Sequence, residues 1–111
     1  MRALGCALAL ALVASAGTAF AQSRQRAPAI SFSGGTGETC DRAVVIKGAR
    51  NTAAGIAAER GWISRNHRGA RFTGSAITRS RSKIFDVVSI AKADGTKVDV
   101  CFDVTGFFGT W

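Results

Sequence analysis

The strongest constraint on the fold is a hairpin pattern in the last third of the chain. Val98, Val100, Phe102 and Val104 alternate with Lys97, Asp99, Cys101 and Asp103, as the two faces of a half-buried strand do. Asp94-Gly95 precedes this stretch, and a segment rich in Ile, Val and Phe over residues 83–91 precedes that dipeptide. Because Asp-Gly favours tight turns between strands, the sequence predicts an antiparallel hairpin with one apolar face to cover.

A two-residue turn at Asp94-Gly95 fixes the predicted pairing of this hairpin. It places Val98 opposite Ala91, Val100 opposite Ser89, Phe102 opposite Val87 and Val104 opposite Phe85. The apolar face formed this way is expected to meet a helix. The outer face then carries Ile84, Asp86, Val88 and Ile90 beside Asp99, Cys101 and Asp103.

Two more strands and one helix complete the prediction. Residues 43–46 are a short β-branched run, and residues 71–80 place Phe72, Gly74, Ala76 and Thr78 on one side of a strand. A helix is predicted from a cap at Asn51 or Thr52 to about His67, with Ile56 and Ile63 on its buried face. The expected fold class is α+β, with one helix packed on a curved antiparallel sheet of three or four strands in two layers.

The first 21 residues have the pattern of a secretory signal peptide. Arg2 is followed by an apolar run from Ala3, and Ala19-Phe20-Ala21 has the small residues of a signal-peptidase site. We therefore predict a signal peptide over 1–21, a flexible N-terminal arm over 22–39 and a single domain over 40–111. The protein is expected to be periplasmic or secreted, two alternatives that the sequence leaves open, with no transmembrane segment after cleavage.

Two cysteines remain after the leader, Cys40 and Cys101. Disulfides persist outside the cytosol, and a domain of this size buries a limited core, so we predict that the two form a structural disulfide. Because Cys101 lies on the predicted outer face, the bond would draw the end of the arm across that face. If Ile30 or Phe32 did not cover it, an apolar patch would stay exposed there and mark a surface for a partner, formed by Ile77, Ile84, Val88 and Ile90.

Positive charge is concentrated in one part of the chain. The formal net charge is +8, and no acidic residue occurs between Arg60 and Phe85. The basic residues of this stretch, called here the basic segment, are Arg60, Arg65, Arg68, Arg71, Arg79, Arg81 and Lys83. Such a segment predicts binding to an anionic envelope polymer or an acidic protein, although solubility alone also accounts for charge of this size. Nucleic acid is not expected as the partner, because the segment lacks interleaved aromatic side chains.

The candidates for chemistry are few. The predicted pairing places Asp86 opposite Asp103, and two adjacent carboxylates are a possible acid and base for a small hydrolase. Neutralisation by the basic residues of the neighbouring strand, Arg79, Arg81 and Lys83, is the simpler interpretation. His67 is expected to end the helix, and the spacing of the acidic residues matches no metal motif, so we predict no metal and no cofactor. The aromatic C-terminus is expected to close the core over the helix.

Several short stretches resemble known proteins. The chain is similar to small exported alphaproteobacterial proteins of unassigned function in Gly55-Ile56, Trp62-Ile63, Phe85-Asp86-Val87, Phe102-Asp103-Val104-Thr105 and Phe107-Phe108-Gly109. The order of one helix followed by three strands also resembles PepSY-like and beta-lactamase-inhibitor-like modules. These likenesses imply a non-catalytic binding or inhibitory domain and carry over no functional residue.

Together these patterns predict an exported binding module, not an enzyme, whose basic segment meets an anionic partner. The alternative is an interaction or inhibitor module that uses the apolar outer face of the sheet. A hydrolase that uses Asp86 and Asp103 is the third hypothesis.

Overall fold

The computed structural model describes residues 29–111, so the predicted signal peptide and residues 22–28 of the predicted arm lie outside the described residues. The described part contains one α-helix, α1 (Thr52–Asn66), and a 3-10 turn at Cys40–Arg42. Its five strands are β1 (Ser31–Gly34), β2 (Val44–Lys47), β3 (Arg71–Ser80), β4 (Lys83–Ala91) and β5 (Lys97–Asp103).

All five strands belong to one sheet in the order β1-β2-β5-β4-β3. The predicted α+β class with a disulfide is confirmed, but the sheet has five strands instead of three or four. It is also mixed, because β2 runs parallel to β5 while the other neighbours are antiparallel. The extra strand comes from the segment predicted as a flexible arm, in which Ser31–Gly34 pairs with Lys47–Val44. This four-residue strand is formed by pairing with β2, which its short pattern alone does not reveal.

The β4–β5 hairpin is present where the sequence predicts it, but the predicted register is wrong by one residue. Val88 lies opposite Val100, and Asp86 lies opposite Phe102. The loop has three residues instead of two: Gly95 N–H donates to the Lys92 carbonyl, Lys92 N–H donates to the Thr96 carbonyl, and Gly95 has a φ of 91°. A β-turn followed by a left-handed glycine is the usual form of three-residue hairpin loops.

This shift of one residue moves every β4 side chain to the other face of the sheet. Val88 and Ile90 lie beneath the helix, with 1% and 0% of their surfaces exposed. The predicted outer patch of Ile77, Ile84, Val88 and Ile90 is therefore wrong. Cys101 lies on the face away from the helix as predicted, opposite Val87.

A bulge in β3 changes the side of its residues as well. The pairing of β3 with β4 shifts between Phe72 and Gly74, so that Phe72 pairs with Ile90 and Ser75 with Val88. Phe72, Ser75, Ile77 and Arg79 consequently share the helix side, instead of the predicted set of Phe72, Gly74, Ala76 and Thr78. Phe72 is on the expected face but 42% exposed, because β3 extends beyond the cover that the helix provides.

Helix α1 begins and ends close to its predicted limits. Asn51 is the N-cap, with its side-chain Oδ1 accepting a hydrogen bond of 2.8 Å from the Ala54 N–H. The buried helix residues are Thr52, Gly55, Glu59 and Ile63. Ile63 is on the buried face as predicted, whereas Ile56 is 39% exposed.

The main core lies between α1 and the sheet. Trp62 packs edge-on against Phe102, with 5.6 Å between the ring centroids. From the C-terminal tail Phe107 joins this core and is 3% exposed, whereas Trp111 is 88% exposed, so the predicted aromatic closure holds for Phe107 and not for Trp111. On the opposite face a smaller cluster surrounds the disulfide and contains Ala43, Phe85 and Cys101.

Helix α1 packs closely against the C-terminal tail at Gly55. A Cβ atom at this position would lie 1.9 Å from Cε1 of Phe107, whereas a Cβ at Gly61 would meet only the end of the Arg65 side chain, at 3.4 Å. We expect Gly55→Ala to lower the free energy of unfolding by about 1–3 kcal/mol through overpacking. Gly61→Ala, the control, should raise it by up to about 1 kcal/mol through helix propensity. Urea denaturation measures both, and equal effects would contradict this packing.

Candidate functional site

The basic segment is exposed along its whole length. All seven of its cationic residues are on the surface, but the fold divides them between the two sides of the sheet. Arg60 and Arg65 belong to α1, and Arg79 shares their side through its pairing with Ile84. Arg71 pairs with Ala91 and therefore lies on the other side, with Arg81 at the turn and Lys83 beyond it. The structure thus spreads these residues along α1 and β3 and over both sides of the sheet, so that they do not form one flat patch.

Three arginines on the helix side lie over aromatic rings. The guanidinium carbon of Arg60 is 4.0 Å from the ring centroid of Phe72, that of Arg65 is 5.4 Å from Phe32, and that of Arg79 is 6.0 Å from Phe108. Stacking of this kind holds a guanidinium in place while its edge stays available to an acceptor. These arginines are therefore partly ordered cations, which lose less side-chain entropy when they bind an anion.

The turn between β3 and β4 forms one wall of a cleft of about 670 Å³ on the disulfide side of the sheet. Cations and hydroxyl groups line much of it, together with Asp41, Phe85 and the disulfide residue Cys40; the cations are Arg81 and Lys83, and the hydroxyl groups belong to Thr78, Ser80 and Ser82. Cationic side chains and hydroxyl donors are the groups that carboxylate, sulfate and phosphate oxygens accept hydrogen bonds from.

Arg81 has an unusual backbone conformation at this cleft. Its φ of 58° is the one left-handed φ of a residue other than glycine within residues 29–111. A side chain in this region costs free energy that a glycine would not. A glycine would adopt the backbone conformation of this turn position with less strain than an arginine.

A buried carboxyl pair, which no sequence pattern indicates, lies on the helix side. Glu59 of α1 and Asp86 of β4 are 3% and 7% exposed, and neither Oε2 of Glu59 nor Oδ1 of Asp86 has a hydrogen-bond partner within the described residues. Burial, the hydrogen bond with Asp86 and the charge of Asp86 raise the pKa of Glu59 to about 9. Burial also raises the pKa of Asp86, against the hydrogen bond from Glu59 and the charge of Arg60. Both shifts favour a folded state in which the pair keeps a proton that isolated carboxyl groups would release.

The predicted pairing of Asp86 with Asp103 is wrong, because the shift in register puts the two side chains on opposite faces. Asp103 Oδ1 accepts hydrogen bonds from the N–H and the hydroxyl of Thr105, at 3.0 and 2.6 Å. Its Oδ2 lies 4.0 Å from Nζ of Lys83. Asp103 therefore shapes the chain after β5. The Glu59–Asp86 pair does not replace the predicted acid and base, since so little of either carboxyl is exposed to a substrate.

His67 ends the helix as predicted. Its backbone N–H donates to the Ile63 carbonyl at 2.8 Å, and its ring lies 5.9 Å from that of Trp62. Among residues 29–111, no three His, Cys, Asp or Glu side chains are grouped as metal ligands would be. The same part of the chain contains no helix long and apolar enough to span a membrane.

Comparison with known proteins found no matching protein family, curated protein or solved structure. Arguments about function therefore rest on the residues and surfaces described above.

Proposed function

We propose that this chain is an exported, non-catalytic binding module whose basic segment contacts an anionic partner. The observation that supports the proposal most strongly is the lack of acidic partners for exposed cations. Within the described residues, Lys83 with Asp103 is the one ion pair, so the six arginines of the basic segment have no acid within 4.0 Å. Exposed cations without internal partners attract anions over about 10 Å at moderate salt.

The cleft beside Arg81 is the part of this surface best suited to individual anionic groups. It combines two cations with three hydroxyl groups, and Arg81 lies in the turn that forms one wall of the cleft. Export is proposed from the leader pattern and is compatible with the Cys40–Cys101 disulfide. The similarity to small exported alphaproteobacterial proteins stays part of the same proposal.

Chromatography on heparin, an anionic polymer, tests the charge argument. We expect the full chain to be retained at low ionic strength and released by salt, because each cation that neutralises a polymer anion displaces a counterion. The double variant Arg79→Glu/Arg81→Glu should elute at markedly lower salt than the wild-type protein.

The matched control is Lys92→Glu/Lys97→Glu, which changes the net charge equally but at the β4–β5 hairpin. It should elute close to the wild-type protein. Equal losses in the two double variants would mean that net charge alone causes retention, and a wild-type protein that passes through at low salt would remove the basis of the proposed function.

A further inference from the structure

Strand β3 presents an open edge. It is the last strand of the sheet, bonded to β4 on one side only, and no other strand among residues 29–111 pairs with its outer side. The strand is 10 residues long, and all but Gly74 are exposed. Folded proteins usually shorten, charge or cover such edges, because the free N–H and C=O groups accept another strand.

The protection of this edge is limited to its ends. Arg71 lies at the start and Arg79 near the end, and the bulge between Phe72 and Gly74 interrupts the ladder close to the start. Between the bulge and Arg79, residues 74–78 carry no charge and no proline. A regular edge therefore runs from the bulge to the end of the strand, over residues 74–80.

Positive charges lie on both faces of the sheet along this edge. Arg79 lies on the helix side and Arg71 on the disulfide side, and Arg81 lies in the turn that follows β3. A rigid polymer lying on one face of the sheet would contact only the arginines of that face. An added strand would contact both, because its side chains alternate between the two faces of a sheet.

A second copy of this chain is a poor occupant. Strand β3 carries Arg71 and Arg79 and no acidic residue, so antiparallel pairing of two copies along this edge would bring positive charges of one copy close to those of the other. Like charges brought together across a strand pair destabilise it. The edge therefore discriminates against self-association and in favour of acidic residues at the same positions.

We infer that β3 accepts an extended acidic segment of another protein as a sixth strand, paired along residues 74–80. This inference rests on the proposed function and specifies its partner as a polypeptide. Acidic residues near both ends of the added segment contact Arg71, Arg79 and Arg81. Apolar residues on its helix side cover Ile77, which is 40% exposed.

A pair of synthetic peptides tests the inference. The probe has the sequence Asp-Glu-Val-Thr-Val-Thr-Val-Glu-Asp, and its match has the same side chains but an N-methyl group on each of the five central residues. Methylation removes the backbone donors and keeps the charge. We expect the unmethylated peptide to bind the full chain about tenfold more tightly or better, and to slow hydrogen exchange over residues 74–80.

Variants and a polymer separate this inference from the proposed function. Arg71→Glu/Arg79→Glu should weaken peptide binding about tenfold, whereas Lys92→Glu/Lys97→Glu should not. Equal binding of the two peptides, or equal protection of residues 74–80 by heparin, would overturn the strand-addition inference and leave the proposed function standing. Loss of salt-dependent heparin retention is the separate result that contradicts the proposed function itself.

Discussion

Replacing Cys40 and Cys101 together with alanine is expected to lower the free energy of unfolding by about 4 kcal/mol. The two residues are 61 positions apart and are joined by a disulfide, with 5.2 Å between their Cα atoms. The bond closes a long loop that includes α1 and most of the sheet, so the unfolded chain gains much conformational freedom when it is removed. Because small domains are stable by about 5–15 kcal/mol, this loss is a large share of the total stability, and the variant should unfold at a much lower concentration of urea than the wild-type protein.

The structure adds a local contribution to this loss. Cys101 is 3% exposed in the middle of the sheet, and Cys40 packs on the cluster of Ala43 and Phe85. The disulfide also holds the 3-10 turn, whose Asp41 lines the cleft beside Arg81. The alanine variant should be much less stable but should keep most of its retention on heparin under conditions where it is folded, because the cations of β3 are not attached to that turn.

Urea denaturation followed by tryptophan fluorescence measures the effect. The wild-type protein treated with a reductant is the matched control, and its unfolding midpoint should coincide with that of the double variant. A double variant within about 1 kcal/mol of the oxidised wild-type protein would contradict a stabilising role of the bond.

Local signals in the sequence were sufficient for most elements of the fold. The Asn51 cap predicts the start of α1, the Asp94-Gly95 dipeptide predicts the hairpin, and the two cysteines that follow the predicted leader predict the disulfide. Each depends on the chemistry of a few neighbouring residues. Strand β1 was missed because four residues at an edge acquire their structure from β2 rather than from their own pattern.

The register of the hairpin could not be predicted because two loop lengths fit the same dipeptide. Asp94-Gly95 suits a two-residue turn and equally the end of a three-residue loop with a left-handed glycine. The choice between them reverses the faces of β4. It moves Asp86 from the side of Asp103 to the side of Glu59. The predicted acid pair is therefore wrong because the register differs by one residue.

Glu59 was missed because the helix offers little amphipathic pattern. Small residues surround it, including Ala53, Ala54, Ala57 and Ala58, and alanine is compatible with either face. The buried face of the helix follows the helical repeat through Thr52, Gly55, Glu59 and Ile63. Because two of these four residues are polar, the sequence does not show this face as an apolar one. The same limit applies to the basic segment, whose charges are evident in the sequence while their division between two faces depends on the bulge in β3.

A second large effect is expected from Glu59→Gln, which should remove much of the dependence of stability on pH. Glu59 has a pKa raised from 4.5 to about 9 by burial and by Asp86. The folded protein therefore keeps a proton that the unfolded chain releases above pH 4.5. The stabilisation is complete below that pH and is lost as pH rises toward 9, by at most about 1.4 kcal/mol per pH unit.

Other shifted groups do not oppose this trend between pH 5 and 9. The pKa of Asp86 is raised as well, so its contribution has the same sign. The pKa of Asp94 is lowered by its hydrogen bonds with Thr96, and the stability it contributes is lost only as pH falls through the acidic range. The wild-type protein should accordingly become less stable from pH 5 to pH 9.

Glutamine at position 59 retains a hydrogen-bond donor for the Asp86 carboxylate but has no proton to lose. We expect the variant to match the wild-type protein approximately at pH 5 and to exceed it in stability at pH 9, so that the two curves diverge as pH rises. Urea denaturation at intervals of one pH unit measures the slopes. Glu38→Gln is the matched control, because it makes the same substitution at an exposed residue outside the buried pair.

Parallel curves for wild-type protein and Glu59→Gln would show that the buried pair holds no extra proton in the folded state. The titration of the Glu59 side chain, followed by carbon-13 NMR of the carboxyl group, gives an independent measurement. Its chemical shift should stay that of a protonated carboxyl at neutral pH and change only in the alkaline range. Because the pair shares one proton, the Asp86 carboxyl should show a smaller change in the same range.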